Sequence, residues 1–140
     1  MTSIERHKEL LNQSLRILDL ALAGGILDNP RAIAFATSSG SVDLLSIYLH
    51  KSGKISIGKV IEHNWFKKPL SEQKIKPFYE RKLDFDFPNR KIVFLLMCHI
   101  EEKRNILAYG NPTEQDVGFV VDAFNKLKKT LEEQLGETYE

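Results

Sequence analysis

The sequence predicts an all-α protein, an up-and-down helical bundle of four to five helices. Apolar residues recur at helical spacing in several long segments, and prolines and a pair of adjacent glycines stand between these segments. A chain of 140 residues is long enough for one domain of this kind. We therefore expect a single domain over residues 1–140, with 136–140 as a frayed tail.

The first two helices have the clearest signals. The first segment carries four leucines on one helical face, at Leu11, Leu15, Leu18 and Leu22. Glycines at 24–25 follow, where a helix ends easily. Asn29 as N-cap and Pro30 as first residue predict the start of the second helix, which lysines at 51–54 end. Small residues around Gly40 allow another helix to approach closely.

The later segments are less uniform. Residues 55–89 predict one or two short helices whose aromatic side chains pack onto the bundle: Trp65, Phe66, Phe78 and Tyr79. The next segment is apolar nearly all round from Ile92 to Cys98, which predicts a central helix that Gly110 ends. Thr113 and Asp116 form a capping box for the last helix. That helix has a long apolar stripe: Val117, Val120, Val121, Phe124, Leu127, Leu131 and Leu135.

Composition narrows the class of protein. Apolar residues make up 42% and charged residues 28%, as in soluble globular proteins. No uninterrupted apolar run reaches the roughly 18 residues that span a bilayer, so we expect a cytoplasmic protein without membrane association. Cys98 is the single cysteine, so no intramolecular disulfide forms. Asp84 and Asp86 indicate a turn or a short extended piece rather than a metal site, and no motif predicts a metal or a cofactor.

Charge is unevenly distributed along the chain. Residues 50–76 carry seven lysines against two acids, a net +5, whereas residues 111–140 carry three lysines against seven acids, a net −4. The basic segment is either a phosphate-binding surface or an ordinary solvated one.

Three polar side chains stand at the end of the penultimate helix: Arg104, Asn105 and Tyr109. On an unbroken helix, side chains five residues apart diverge by about 140°. If the helix ends near Ala108, the break returns Tyr109 toward Arg104, and the two frame a polar pocket. Glu101 can hold Arg104 or Asn105 from the preceding turn. The alternative is a helix terminus in which Arg104 pairs with Glu101 and bonds the last carbonyls.

On these residues the chain resembles the HEPN superfamily. A first helix followed by glycines, an Asn-x-Arg entry into a small-residue helix and Arg-Asn before a glycine turn are similar to its pattern, over roughly residues 4–135. In HEPN ribonucleases, motifs from two subunits meet, and arginine holds the scissile phosphate. A histidine moves protons as the 2′-hydroxyl attacks, without a metal. The family's histidine follows the arginine by four to six residues, and here Tyr109 stands at that position, five residues after Arg104. A tyrosine with an ordinary pKa near 10 is a poor base at neutral pH.

Another histidine is the alternative proton carrier. His50, beside Lys51 at the end of the second helix, is the better candidate, because a helix end from another segment can reach the pocket. His99 lies about 140° round the helix from Arg104. His7 and His63 carry no local pattern. The predicted ligand-binding residues are therefore Glu101, His50 and Lys51.

Three functions are open at this point. The first is a HEPN-like nucleotide- or RNA-binding domain with a degenerate ribonuclease site, as the toxin-like or partner half of a nucleotidyltransferase-linked toxin–antitoxin system. The second is an active metal-independent endoribonuclease. The third is a non-catalytic scaffold subunit of a nucleoprotein complex, whose lysines at 51–76 follow a nucleic-acid backbone. The resemblance implies a homodimer with the Arg104 regions near the two-fold axis, and a minimal nucleotidyltransferase as protein partner.

Overall fold

The structure, a computed structural model, describes residues 3–56, 58–68 and 76–140. These residues form five α-helices and one 3₁₀ turn, and no strand. The elements are α1 (Ile4–Ala23), α2 (Pro30–Lys51), the 3₁₀ turn (His63–Phe66), α3 (Phe78–Lys82), α4 (Arg90–Tyr109) and α5 (Glu114–Leu135). The prediction of an all-α helical bundle is confirmed. Part of the basic segment, residues 57 and 69–75, lies outside the described residues.

The helix boundaries follow the predicted caps. The Asn29 side chain accepts a hydrogen bond from the N–H of Ala32 at 3.3 Å, and Pro30 is the first residue of α2. At α5 the capping box is complete: Thr113 Oγ1 accepts from the N–H of Asp116, and the Asp116 carboxylate accepts from the N–H of Thr113 at 2.9 Å. These bonds satisfy backbone donors that helix geometry leaves free.

The central helix is α2. Fourteen of its 22 residues are buried, and α1, α4 and α5 all pack against it. The prediction that the helix from Ile92 to Cys98 is central is wrong, because Ile92 is 52% and Leu95 46% exposed. α2 is also long and apolar enough, by length and composition alone, to span a bilayer, but most of it is buried among the other helices. The core helix of a bundle has the same composition.

Small residues give α2 this position. A Cβ atom on Gly40 would lie 3.0 Å from Cε1 of Phe124 in α5 and 3.4 Å from Cβ of Ser14 in α1. The close approach predicted around Gly40 is therefore confirmed, and it brings three helices together at one level of the bundle.

The connection between α2 and α4 is held by aromatic packing and by one arginine. Phe66 is fully buried and stacks on Tyr79 with ring centres 5.5 Å apart, whereas Phe78 is 38% exposed. Arg90 at the start of α4 donates to the carbonyl of Phe85 at 2.8 Å and to that of Leu83 at 2.9 Å.

The acidic pair Asp84 and Asp86 lies in an irregular part of this connection, outside the helices. The Asp86 carboxylate accepts from the N–H of Phe87 at 3.0 Å. This local bond fits the turn or short extended piece that the sequence predicts at this pair.

The C-terminal residues pack against the bundle, whereas the sequence predicts a frayed tail at 136–140. Tyr139 is only 9% exposed, and its N–H and hydroxyl donate to the carboxylates of Glu132 and Glu137, both at 2.6 Å. Glu137 in turn pairs with Lys51 at the end of α2. The aromatic ring and these bonds hold the tail in place, and the sequence pattern of a short polar end does not reveal them.

Candidate functional site

A cavity of about 590 Å³ lies between α1, α2 and the 3₁₀ turn. Its walls come from side chains within 10–17 of α1, 38–43 of α2 and 61–64 around the turn, and Arg104 enters from α4. Pockets of this size bind small organic ligands. The lining combines apolar side chains with serines, two acids, a histidine and the arginine.

Arg104 is the predicted site residue that lines this cavity. It is half-buried, and its guanidinium carbon lies 5.1 Å from the ring centre of Phe35. Among the described residues Arg104 forms no salt bridge, and its Nε is buried without a hydrogen-bond partner. A partly desolvated guanidinium that lacks a carboxylate favours an anionic ligand.

His63 lines the same cavity and is paired with Glu101. Its Nδ1 lies 2.8 Å from Oε2 of Glu101, whose side chain is 12% exposed. Because a carboxylate accepts hydrogen bonds, Nδ1 carries the proton and donates, which leaves Nε2 as the acceptor of the ring. The expected contact of Glu101 with Arg104 or Asn105 is therefore replaced by a contact with the 3₁₀ turn.

Asn105 does not share the cavity of Arg104. It is exposed and lines a second cavity of about 250 Å³, together with Lys67, Lys68 and Glu101. Consecutive residues on a helix point about 100° apart, so the Arg-Asn pair faces two different cavities. Glu101 lines the second cavity, and its partner His63 lines the first.

Tyr109 lies outside the cavity. α4 ends at Tyr109, one residue beyond Ala108, so Tyr109 is still helical and diverges by about 140° from Arg104, although both side chains contact Phe35. The Tyr109 side chain is 64% exposed and contacts Phe35 edge-on, while the guanidinium carbon of Arg31 lies 5.0 Å from its ring centre. Tyr109 thus belongs to an outer surface shared with Arg31.

His50 and Lys51 lie at the far end of α2. Arg104 packs on Phe35, and His50 is fifteen residues further along the same helix, which is about 22 Å along the axis. His50 therefore does not reach Arg104 within one chain. It stacks on His7 at 5.9 Å between ring centres, and burial together with the nearby His7 lowers its pKa. Lys51 is paired with Glu137.

His7 and Asp43 form a buried pair that sequence reasoning missed. His7 Nδ1 lies 2.8 Å from Asp43 Oδ1, and both side chains are 9% exposed. Burial raises the pKa of the Asp43 carboxyl, although the hydrogen bond from His7 acts in the opposite direction. Asp43 also lines the cavity that Arg104 enters. One signal was present: Asp43 is a single acid in a long apolar helix, and buried acids are rarely without a partner.

The described part of the chain gives no indication of a metal centre. Within it, no group of three or more His, Cys, Asp or Glu side chains is arranged to hold a metal ion. Cys98, predicted to be a small buried apolar residue, is 2% exposed, and burial raises the pKa of its thiol. This makes Cys98 a packing residue rather than a nucleophile.

Comparison with known proteins yields no relative, since no protein-family model, curated protein or solved structure matches this chain. The HEPN relationship therefore stays a prediction from the sequence motif.

Proposed function

We propose that this protein is a HEPN-like domain that binds a nucleotide or an RNA phosphate in the cavity lined by Arg104 and His63. The proposal rests on the unpaired charge of Arg104 in this cavity. Its guanidinium lines a cavity of ligand size, and no carboxylate of the described residues neutralises it.

Arginine suits phosphate because its planar fork donates two parallel hydrogen bonds to two oxygens. The Phe35 ring packs against the guanidinium, at 5.1 Å, and thereby limits its motion. Partial burial also strengthens the attraction to an anion, because the local dielectric is lower than that of water. His63 lines the same cavity, and its Nε2 can accept a hydrogen bond from a hydroxyl or amino group of the ligand.

The test is binding of a fluorescently labelled, mixed-sequence single-stranded RNA, followed by anisotropy at several salt concentrations. We expect Arg104→Ala to weaken binding by about tenfold or more, since a hydrogen bond to a charged group contributes roughly 1.5–3 kcal/mol. Arg31→Ala is the matched control, because Arg31 also lies over Phe35, at 5.9 Å, but does not line the cavity. We expect Arg31→Ala to change the affinity less than threefold.

The scaffold function predicts a different result. RNA held by exposed lysines such as Lys67 and Lys68 would bind with a steep salt dependence and would be indifferent to Arg104→Ala. That outcome would overturn the binding proposal in favour of a nucleoprotein scaffold.

A second candidate function is metal-independent RNA cleavage, and the Glu101–His63 pair is the observation that favours it. Imidazole titrates near neutral pH, and a carboxylate on Nδ1 orients the ring and leaves Nε2 to accept a proton. In this scheme Arg104 binds the scissile phosphate and His63 takes the proton of the 2′-hydroxyl as its oxygen bonds to phosphorus. The bond from phosphorus to the 5′-oxygen breaks, a 2′,3′-cyclic phosphate forms, and the protonated His63 returns the proton, through water, to the leaving 5′-oxygen. His63 thus replaces His50, the histidine that the sequence favoured, as the proposed proton carrier.

Cleavage is tested with single-stranded RNA in the presence of EDTA. We expect His63→Gln to abolish cleavage, Glu101→Gln to slow it by about 10² or more, and Tyr109→Phe to leave it unchanged. RNA with 2′-O-methyl groups serves as an uncleavable control. If the wild type binds RNA through Arg104 but does not cut it, the function is binding alone.

The HEPN resemblance also carries two proposals about partners. One is a homodimer with the Arg104 regions near its two-fold axis, and the other is a complex with a minimal nucleotidyltransferase, as in toxin–antitoxin pairs. Light scattering on the purified chain tests the homodimer directly, because a mass near 32 kDa rather than 16.1 kDa is expected.

A further inference from the structure

We propose that the cavity holds one nucleotide lengthwise, with the phosphate at Arg104 and a hydrogen-bond donor of the sugar or base at Asp43. The inference rests on the proposed function, because it uses the same Arg104 end of the cavity. It adds the chemical class of the ligand and names the residue that recognises its uncharged end.

The two ends of the cavity are separated along α2. Arg104 packs on Phe35, one turn before Ser38, where the α2 wall of the cavity begins, and Asp43 lies at the other end of that wall, a rise of about 12 Å beyond Phe35. Both residues line the same cavity. A ligand that contacts both is therefore elongated, with an anionic group at one end only.

Asp43 is suited to an uncharged donor. An ionised carboxylate only accepts hydrogen bonds, and among the described residues His7, through Oδ1, is the partner of Asp43. Its side chain is only 9% exposed, so the remaining acceptor capacity is turned away from bulk water. Amino groups of bases and hydroxyls of ribose are donors of the required kind.

The acid also limits the number of phosphates. A second phosphate near Asp43 would meet a negative charge in a partly desolvated site, which is unfavourable. Among the described residues that line the cavity, Arg104 is the single arginine or lysine, against the two carboxylates of Asp43 and Glu62, and this charge balance fits a nucleoside monophosphate better than a continuous RNA strand. The apolar side chains of Leu10, Ile17 and Val42 line the same cavity and offer surface for a base.

The experiment is titration calorimetry of the full chain with AMP, GMP, CMP and UMP, with the nucleoside of the tightest of these, and with inorganic phosphate. We expect the best monophosphate to bind about 10- to 100-fold more tightly than either its nucleoside or phosphate. Arg104→Ala is expected to reduce the monophosphate to the affinity of the nucleoside. Asp43→Asn is expected to reduce it about tenfold and to leave inorganic phosphate unchanged.

Two further variants guard against an effect on folding. Leu10→Trp fills the Asp43 end from a half-buried position one turn from His7, and we expect it to weaken the monophosphate but not inorganic phosphate. Asp122→Asn removes the same charge from an exposed position on α5 and should change the affinity neither for the monophosphate nor for inorganic phosphate. Circular dichroism and phosphate binding confirm that each variant is folded.

The outcomes separate the two proposals. If Asp43→Asn and Leu10→Trp bind the monophosphate as the wild type does, the assignment of Asp43 is overturned. If RNA binding depends on Arg104 but no monophosphate exceeds inorganic phosphate, the inference fails while the proposed function stands. If neither RNA nor any monophosphate responds to Arg104→Ala, both fail.

Discussion

A single methyl group on Gly40 should destabilise the protein, although glycine is a poor helix former. Alanine in place of glycine inside a helix normally stabilises by up to about 1 kcal/mol. At Gly40 the added Cβ would lie 3.0 Å from Cε1 and 3.1 Å from Cζ of Phe124, a side chain that is 1% exposed. Overpacking of this kind costs roughly 1–3 kcal/mol, so the net loss for Gly40→Ala is about 1 kcal/mol.

Gly118 supplies the matched comparison. It lies in α5, and a Cβ there would have nothing within 4 Å, so Gly118→Ala should stabilise by about 1 kcal/mol. The difference between the variants, about 2 kcal/mol, is then the steric term alone, because the gain in helix propensity is common to both.

Urea unfolding of both variants measures this difference. With a slope of about 2 kcal/mol per molar, Gly40→Ala should lower the midpoint by about 0.5 M and Gly118→Ala should raise it by the same amount. A Gly40→Ala protein as stable as Gly118→Ala would refute the close approach of α1, α2 and α5 at this level.

Substitutions at three further positions test a histidine, an arginine that bonds carbonyls and a helix cap, each by urea unfolding. The pKa of His50 is lowered from 6.5 in the folded state, so the unfolded chain binds the proton first as the pH falls. The free energy of unfolding should therefore decrease between pH 7 and pH 5. His50→Gln should flatten that pH dependence, and an unchanged pH dependence in the variant would contradict the role of His50. Arg90→Ala removes two hydrogen bonds to carbonyls and should lower the free energy of unfolding by about 2–3 kcal/mol. A loss below about 0.5 kcal/mol would mean that these hydrogen bonds add little to stability. Thr113→Ala should cost about 1 kcal/mol, and Thr113→Ser should restore most of it; equal losses in both variants would argue against the cap.

Local sequence signals predicted the helices well because the forces behind them are local. The caps at Asn29 and Thr113 and the stripe of α5 act within one or two turns. The position of each helix in the bundle was harder to predict. An apolar run from Ile92 to Cys98 indicated a central helix, but the smaller residues of α2 let three neighbours approach and place α2 at the centre instead.

The candidate site was only partly predictable for the same reason. Arg104 was identified from its motif, but the motif also assigned Tyr109 and Asn105 to a pocket that they do not line. Two other polar side chains of the cavity have partners that are distant in sequence. His63 pairs with Glu101, 38 residues away, and Asp43 pairs with His7, 36 residues away. No local spacing encodes such pairs, because the tertiary packing creates them.

The cavity itself follows from the small residues of α2. On one side of the helix, Gly40 allows Phe124 to approach so closely that a methyl group would not fit. On the adjoining side, Ser38 and Ser39 are too short to fill the space toward α1 and the 3₁₀ turn, so a cavity remains. The same sequence feature that makes α2 the packing centre thus opens the space into which Arg104 projects. A larger residue at 39 should therefore reduce ligand binding while leaving the contact with α5 intact, since Ser39 is exposed and the close approach to Phe124 is at Gly40, the single glycine of α2.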